Sequence, residues 1–287
     1  MRLILLTVLG LLAAGPSFGQ GDLAGIESKA AAGDIRAEVE LGDAYYVGRG
    51  VAQDYGQAMG WYRKAADQGD AEADVAIANL YTRGAGVATD EAEALDWNLK
   101  AANLGHMGAQ YNVGVAYDNG RGVARDLGAA FTWYSKAAGQ GLDAAQYNLG
   151  SMYETGDGVG QDYGQARAWY EKAAAQNYAA AEYNLGIMYL NGEGLAVDAG
   201  KGLDLVEQGA RGGFAFAQGR LAAIAYAGLY GQPLDKVKAY AWALLATDGG
   251  DPDASDLLDR MDAGRDLDDA ELKTASDLAA QLAAGMR

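Results

Sequence analysis

The sequence predicts an all-α chain of helix-turn-helix repeats stacked as an α-solenoid, and three observations predict it. Trp61, Trp97, Trp133 and Trp169 recur every 36 residues, as do Tyr45, Tyr81, Tyr117, Tyr153 and Tyr189. Glycines keep the same step: Gly48, Gly84, Gly120, Gly156 and Gly192 hold one slot, and Gly50, Gly86, Gly122, Gly158 and Gly194 hold the slot two residues later. Within each period the apolar residues fall at helical spacing, and no stretch sustains the alternation of a strand.

Residues 1–19 stand apart from this pattern. Met1-Arg2 gives a positive start, Leu3 to Ala14 forms an uncharged apolar run of twelve with Thr7 inside it, and Gly15-Pro16-Ser17-Phe18-Gly19 breaks the run with mostly small residues. This is the layout of a secretory signal peptide, with cleavage expected near Gly19. At 1.5 Å per residue the apolar run reaches only about 18 Å, against a hydrocarbon core of about 30 Å. No Cys follows it, which excludes a lipid anchor of the bacterial lipoprotein kind. The expected location is therefore periplasmic or secreted, without a membrane span after cleavage.

The segment 20–36 reads as a lone second helix ending in Gly33-Asp34, as the later Gly69-Asp70 does, and is expected to cap the N-terminal end. Six units follow, at 37–72, 73–108, 109–144, 145–180, 181–216 and 217–253. The first helix of each carries a stripe such as Ala37, Leu41, Ala44 and Tyr45. The second carries one such as Ala58, Trp61, Tyr62 and Ala65. Asp54 with Gln57, Asp90 with Glu93 and Asp162 with Gln165 have the spacing of capping boxes, and Gly69, Gly105 and Gly141 suit left-handed helix ends. Gly42, Gly114, Gly150 and Gly186 sit inside first helices, where glycine costs about 1 kcal/mol relative to alanine. Ala78 and Ala222 share that slot, so smallness is the requirement, and the expected bulky partner is the tryptophan opposite. The fifth unit decays, with Leu205 in place of Trp and Lys201-Gly202 expected to weaken its second helix. The sixth takes a one-residue insertion before Asp235, Ala239 and Trp242. Residues 254–287 supply Leu257, Leu258 and Met261, then Asp268 and Glu271 opening a last helix through Leu278 and Leu282. These form the expected C-terminal cap.

The series Ala-x-x-x-Leu-Gly-x-x-Tyr-x-x-Gly-x-Gly-Val-x-x-Asp-x-x-x-Ala-x-x-Trp-Tyr-x-Lys-Ala-Ala, carried by Ala145 to Ala174 with small departures, resembles the Sel-1-like repeat, a relative of the tetratricopeptide repeat. The resemblance runs from about Ala37 to Gly250. It implies a right-handed α-solenoid serving as an adaptor or scaffold, often in the bacterial envelope, and it implies no reaction. The branch of that family linked to penicillin binding and β-lactam hydrolysis is rich in cysteine, which this chain lacks.

Composition removes several chemistries. With 22 basic and 39 acidic residues the net charge is −17, which opposes binding to nucleic acid or anionic lipid. Absence of Cys removes disulfides, thiolate catalysis and Cys-ligated metal, and the single His106 occupies a variable turn position between units. Glycine pairs such as Gly48-Arg49-Gly50 follow helices and recur five times, so they read as turns and not as phosphate cradles. Asp251-x-Asp253, in the acidic stretch from Asp248 to Asp269, lacks the glycine and glutamate of a calcium loop and reads as solvated cap surface. No catalytic residue, cofactor or metal site is expected.

Binding of a protein or peptide remains, on the concave face lined by first helices, with a partner of basic face favoured by the charge. Tyr111-Asn112, Tyr147-Asn148 and Tyr183-Asn184 are the candidate contacts. Repeated amides could hold an extended backbone, and tyrosines give area at low entropic cost. The same residues also suit the repeat's internal packing. The alternative function is a cell-wall glycan-binding protein or peptidoglycan hydrolase. Position 46 and its equivalents Thr82, Asp118, Glu154 and Leu190 vary between units.

Overall fold

The computed structural model describes residues 20–286, so the expected signal peptide lies outside the described residues. Among the described residues there are fifteen α-helices, one short 3-10 turn and no strand. The chain divides into two compact units between Gln140 and Gly141. The first holds α1 (Gln20–Ala31), α2 (Ile35–Val47), α3 (Tyr55–Asp67), α4 (Ala71–Arg83), α5 (Glu91–Asn103), α6 (Met107–Asn119) and α7 (Leu127–Gly139). The second holds α8 (Asp143–Thr155), α9 (Tyr163–Ala174), α10 (Ala179–Asn191), α11 (Ala199–Arg211), α12 (Ala215–Ala227), α13 (Lys236–Asp248), α14 (Pro252–Gly264) and α15 (Asp269–Ala284). Within each unit a helix packs on its neighbours in sequence, as a stacked repeat requires. The even-numbered helices α2 to α12 are the first helices of their repeats.

Local chemistry sets the helix ends. Gly48, Gly84, Gly120, Gly156, Gly192 and Gly228 are left-handed C-caps of first helices. The second glycine of each pair has positive φ, and Gly86, Gly122 and Gly194 also lie against the start of an earlier second helix. A Cβ on Gly122 would stand 2.3 Å from the Glu91 carbonyl oxygen, and one on Gly194 would stand 2.4 Å from the Tyr163 Cβ. Asp54, Asp90, Asp126, Asp162, Asp198 and Asp235 cap the second helices through their carboxylates. The reciprocal half of the expected capping boxes is not formed at Asp54, Asp90 and Asp162. Their backbone N–H groups donate instead to the carbonyls of Tyr45, Tyr81 and Tyr153 at 2.8–3.1 Å, which closes the inter-helix loop. The full box occurs at Asp268 and Glu271, where α15 begins.

Three of the glycines inside first helices, Gly42, Gly114 and Gly150, do face a large ring, but it is the tyrosine after the tryptophan, while Gly186 lies against Val206 and Gly202. A Cβ on Gly42 would stand 2.5 Å from Tyr62, and one on Gly114 or Gly150 would stand 2.6 Å from Tyr134 or Tyr170. These three rings are buried, whereas Trp61, Trp97, Trp133 and Trp169 are half-buried. Lysines three residues on, Lys64, Lys100, Lys136 and Lys172, lie over the four indoles at 3.3–3.5 Å. Where the tyrosine slot holds Asn98 or Ala243, the glycine slot holds Ala78 or Ala222. The smaller partner leaves room for the extra methyl.

The fifth repeat is not a weak point in its geometry. Its second helix, α11, runs the same 13 residues as its counterparts. Gly202 lets it approach α10 closely: a Cβ there would meet Leu190 at 2.7 Å and the Gly186 carbonyl at 2.9 Å. Within single repeats an exposed glutamine reaches back to a buried one. Gln140 Nε2 donates to Gln110 Oε1 at 2.8 Å, and Gln176 Nε2 donates to Gln146 Oε1 at 2.9 Å. At the end of the second unit α14 and α15 pack on α13, and Trp242, unlike the other repeat tryptophans, is fully buried with Leu257 and Met261.

Candidate functional site

The first helices of each unit present the surface on which the six candidate residues stand. In the first unit Tyr111 is buried, with its ring 5.7 Å from that of Tyr134. Asn112 is half-buried and donates through Nδ2 to Asn98 Oδ1 at 3.2 Å. In the second unit Tyr147 packs between Tyr170 and Tyr178 at 5.8 and 5.2 Å, and Asn184 donates to the Tyr170 hydroxyl at 3.0 Å. Asn148 is buried, and its Nδ2 has no acceptor among the described residues. Tyr183 is half-buried, 5.4 Å from Phe214, which is in turn 5.5 Å from Phe216. The amides of Asn112 and Asn184 are thus tied at one edge into the repeat packing, and four of the six side chains keep an outward part.

Carboxylates complete this face. Tyr62, Tyr134 and Tyr170 each thread a ring past a glycine and bring the hydroxyl out at the first helix. Tyr62 donates to Asp43 at 2.7 Å, Tyr134 to Asp118 at 3.4 Å, and Tyr170 to Glu154. Burial pushes the Asp43 and Glu154 carboxyls above their ordinary values, against the lowering effect of the tyrosine bonds. Burial likewise raises the hydroxyls of Tyr62, Tyr147, Tyr170 and Tyr183, which stay protonated donors at neutral pH. Among the described residues no cluster of His, Asp and Glu could hold a metal ion.

Several residues of the face escaped the sequence reading. Arg220, Phe216 and Tyr230 are the main ones, and a signal for Arg220 was present: it lies 36 residues beyond Asn184, the next rung of the Asn112, Asn148, Asn184 series. Tyr230 takes the slot of Gly50 and its equivalents and keeps their left-handed backbone, with φ 56°. His106 lies in the turn between α5 and α6, at the variable position expected for it, and has a definite role there. It caps α6, its Nδ1 accepting from the Ala109 N–H at 3.0 Å while Nε2 meets Glu72 at 3.1 Å. Asp251, expected on a solvated surface, is buried and caps α14.

Comparison with known proteins agrees with the repeat geometry. The Sel1 repeat matches residues 35–70, 71–106, 108–142, 143–178, 179–214 and 215–251. A Sel1 repeat protein from Oxalobacter formigenes has a similar structure, with TM-score 0.72 and 28% identity over 79% of this chain and 90% of that one. The protective antigen c5321 of uropathogenic Escherichia coli, described as having an SLR fold, aligns at 31% identity over 90% of this chain and 63% of its own, with TM-score 0.48. The secretory immunoglobulin A-binding protein EsiB of Escherichia coli is 38% identical over 62 residues, which are 22% of this chain and 13% of EsiB. The chain therefore spans a small part of that curated relative's length. With six matched repeats across most of its residues, the chain belongs to the Sel1 repeat family.

Proposed function

We propose that this protein is an exported, non-enzymatic scaffold that binds another protein or peptide through the first helices of its repeats, in envelope assembly, secretion or signalling. The observation that carries the reading is a contrast between the two kinds of helix. The second helices repeat the same Trp and Lys stack four times, whereas first-helix slots change from repeat to repeat. Asp43, Asn79, Val115, Ser151 and Ile187 share one slot, and Tyr46, Thr82, Asp118, Glu154 and Leu190 share another. A surface free of the packing rule is where specificity can be written. Of the six candidates, Asn112, Tyr147, Tyr183 and Asn184 make the contacts in this reading, with Tyr111 and Asn148 supporting them from beneath. The net charge favours a partner with a basic face. EsiB, a relative over a short stretch, is named for binding a protein.

The test is a photo-reactive residue at position 112 or 184 of the full chain in living cells, with a control at Glu171 on α9. Mass spectrometry should find the same polypeptide captured from both first-helix positions and missing from the control. Capture of nothing beyond the control at either position would refute the reading.

A further inference from the structure

Arg220 is the only base on α8, α10 and α12, and it is half-buried. One guanidinium nitrogen donates to the Tyr230 hydroxyl at 2.7 Å, while Nε, shielded from solvent, has no acceptor among the described residues. No ion pair joins Arg220 to a carboxylate among those residues, although Arg167, Arg211 and Lys236 of the same unit each have one. A half-buried guanidinium is costly to leave unpaired, and its planar fork matches a carboxylate with two parallel hydrogen bonds.

The surroundings supply a second recognition element. Phe216, one turn before Arg220 on α12, is 43% exposed and extends the aromatic row of Tyr183 and Phe214. Tyr230 holds a backbone conformation that costs a non-glycine residue energy, and its hydroxyl bond to Arg220 fixes loop and guanidinium together. Asp251 and Asp253 stand near Tyr183 and push its hydroxyl up, against the pull of Arg220. Their charge disfavours a run of acidic residues and tolerates a single one.

We propose that Arg220 receives one acidic side chain, aspartate or glutamate, of a partner polypeptide on the first-helix face of the second unit, with an adjacent apolar residue of that partner against Phe216. This deepens the protein-binding reading and rests on it. The slot of Asn148 and Asn184 would then change from a neutral rung to a charged one at α12, fixing the register of an extended segment.

Blocked dipeptides test the site directly, with the full chain titrated by NMR. Acetyl-Phe-Glu-amide should bind about fivefold to tenfold more tightly than acetyl-Phe-Gln-amide, and should move the Arg220 Nε–H resonance downfield. Arg220→Gln should abolish the preference, and Phe216→Ala should weaken both probes alike. Should Arg220→Gln unfold, the resonance shift in the unaltered chain decides. Equal binding of the two probes, or a preference that survives Arg220→Gln, overturns the proposal. So does failure of both to bind. Tighter binding of acetyl-phenylalanine than of the glutamate probe would assign the site to a chain terminus and overturn the side-chain form. The crosslinking test stands apart from these outcomes, so the site can fail while the wider reading holds.

Discussion

Gly150 shows how one hydrogen atom sets the distance between two helices. Alanine there would gain about 1 kcal/mol of helix propensity, but its methyl would stand 2.6 Å from the Tyr170 ring, and overpacking of a tight core costs about 1–3 kcal/mol. Gly150→Ala should therefore destabilise the protein by about 1 kcal/mol in urea unfolding, and the loss should shrink in a Tyr170→Asn background, the combination that Ala78 and Asn98 already use. The neighbouring Glu154 gives a pH signature. Its folded pKa lies above the ordinary 4.5 because burial disfavours the charge, so the folded state holds the proton more tightly than the unfolded chain does. The contribution of Glu154 to stability is thus full below 4.5 and declines as pH rises through the folded value. Glu154→Gln should raise the melting temperature at pH 7, and that gain should disappear below pH 4.5. The sequence exposed the need for a small residue at Gly150 but named the wrong ring. Trp169 and Tyr170 are adjacent, and which of them meets the glycine depends on the rotation of α9 against α8, a quantity that periodicity to within one residue does not fix.

Whole helices were readable because their ends are local chemistry. Asp126 caps α7 by accepting from the Ala129 N–H at 2.9 Å, and Asp126→Ala should cost about 1 kcal/mol, with Asp126→Asn nearly neutral, in the same unfolding assay. The recurring lysine over each indole is a smaller effect. Lys172→Met should cost about 0.5 kcal/mol and shift the fluorescence of Trp169, since a cation at 3.5 Å from an accessible ring is a modest interaction. The missing half of the capping boxes is instructive at this scale. Spacing alone says that Gln57 could reach back to Asp54, but that amide already donates to Tyr45, nine residues earlier in the chain. Hydrogen bonds between elements override pairings that the sequence allows within one.

Each unit is organised as neighbour on neighbour among the described residues, so an end of such a stack needs a cover with distinct chemistry. In the second unit α14 and α15 do this, burying Trp242 until only 1% of it remains exposed. Removing residues 252–287 should red-shift the Trp242 emission and lower the stability of α12 and α13, measured by hydrogen exchange, well before α8 and α9 are affected. For the signal peptide expected in residues 1–19, sequencing of the protein recovered from cells should begin near Gln20, and a start at Met1 would refute that expectation.

The sequence alone determined the repeat length, the helical class, the capping aspartates and the glycines with positive φ, because each is a demand of the backbone within a few residues. It also carried the six-residue tyrosine and asparagine series. Tertiary structure decided what those side chains do: which stay outward, which are spent on packing, which ring faces Gly42, Gly114 and Gly150, and that Arg220 stands without a carboxylate among the described residues. Those outcomes depend on how one helix is turned against the next, and a repeat of fixed length leaves that angle to the packed atoms.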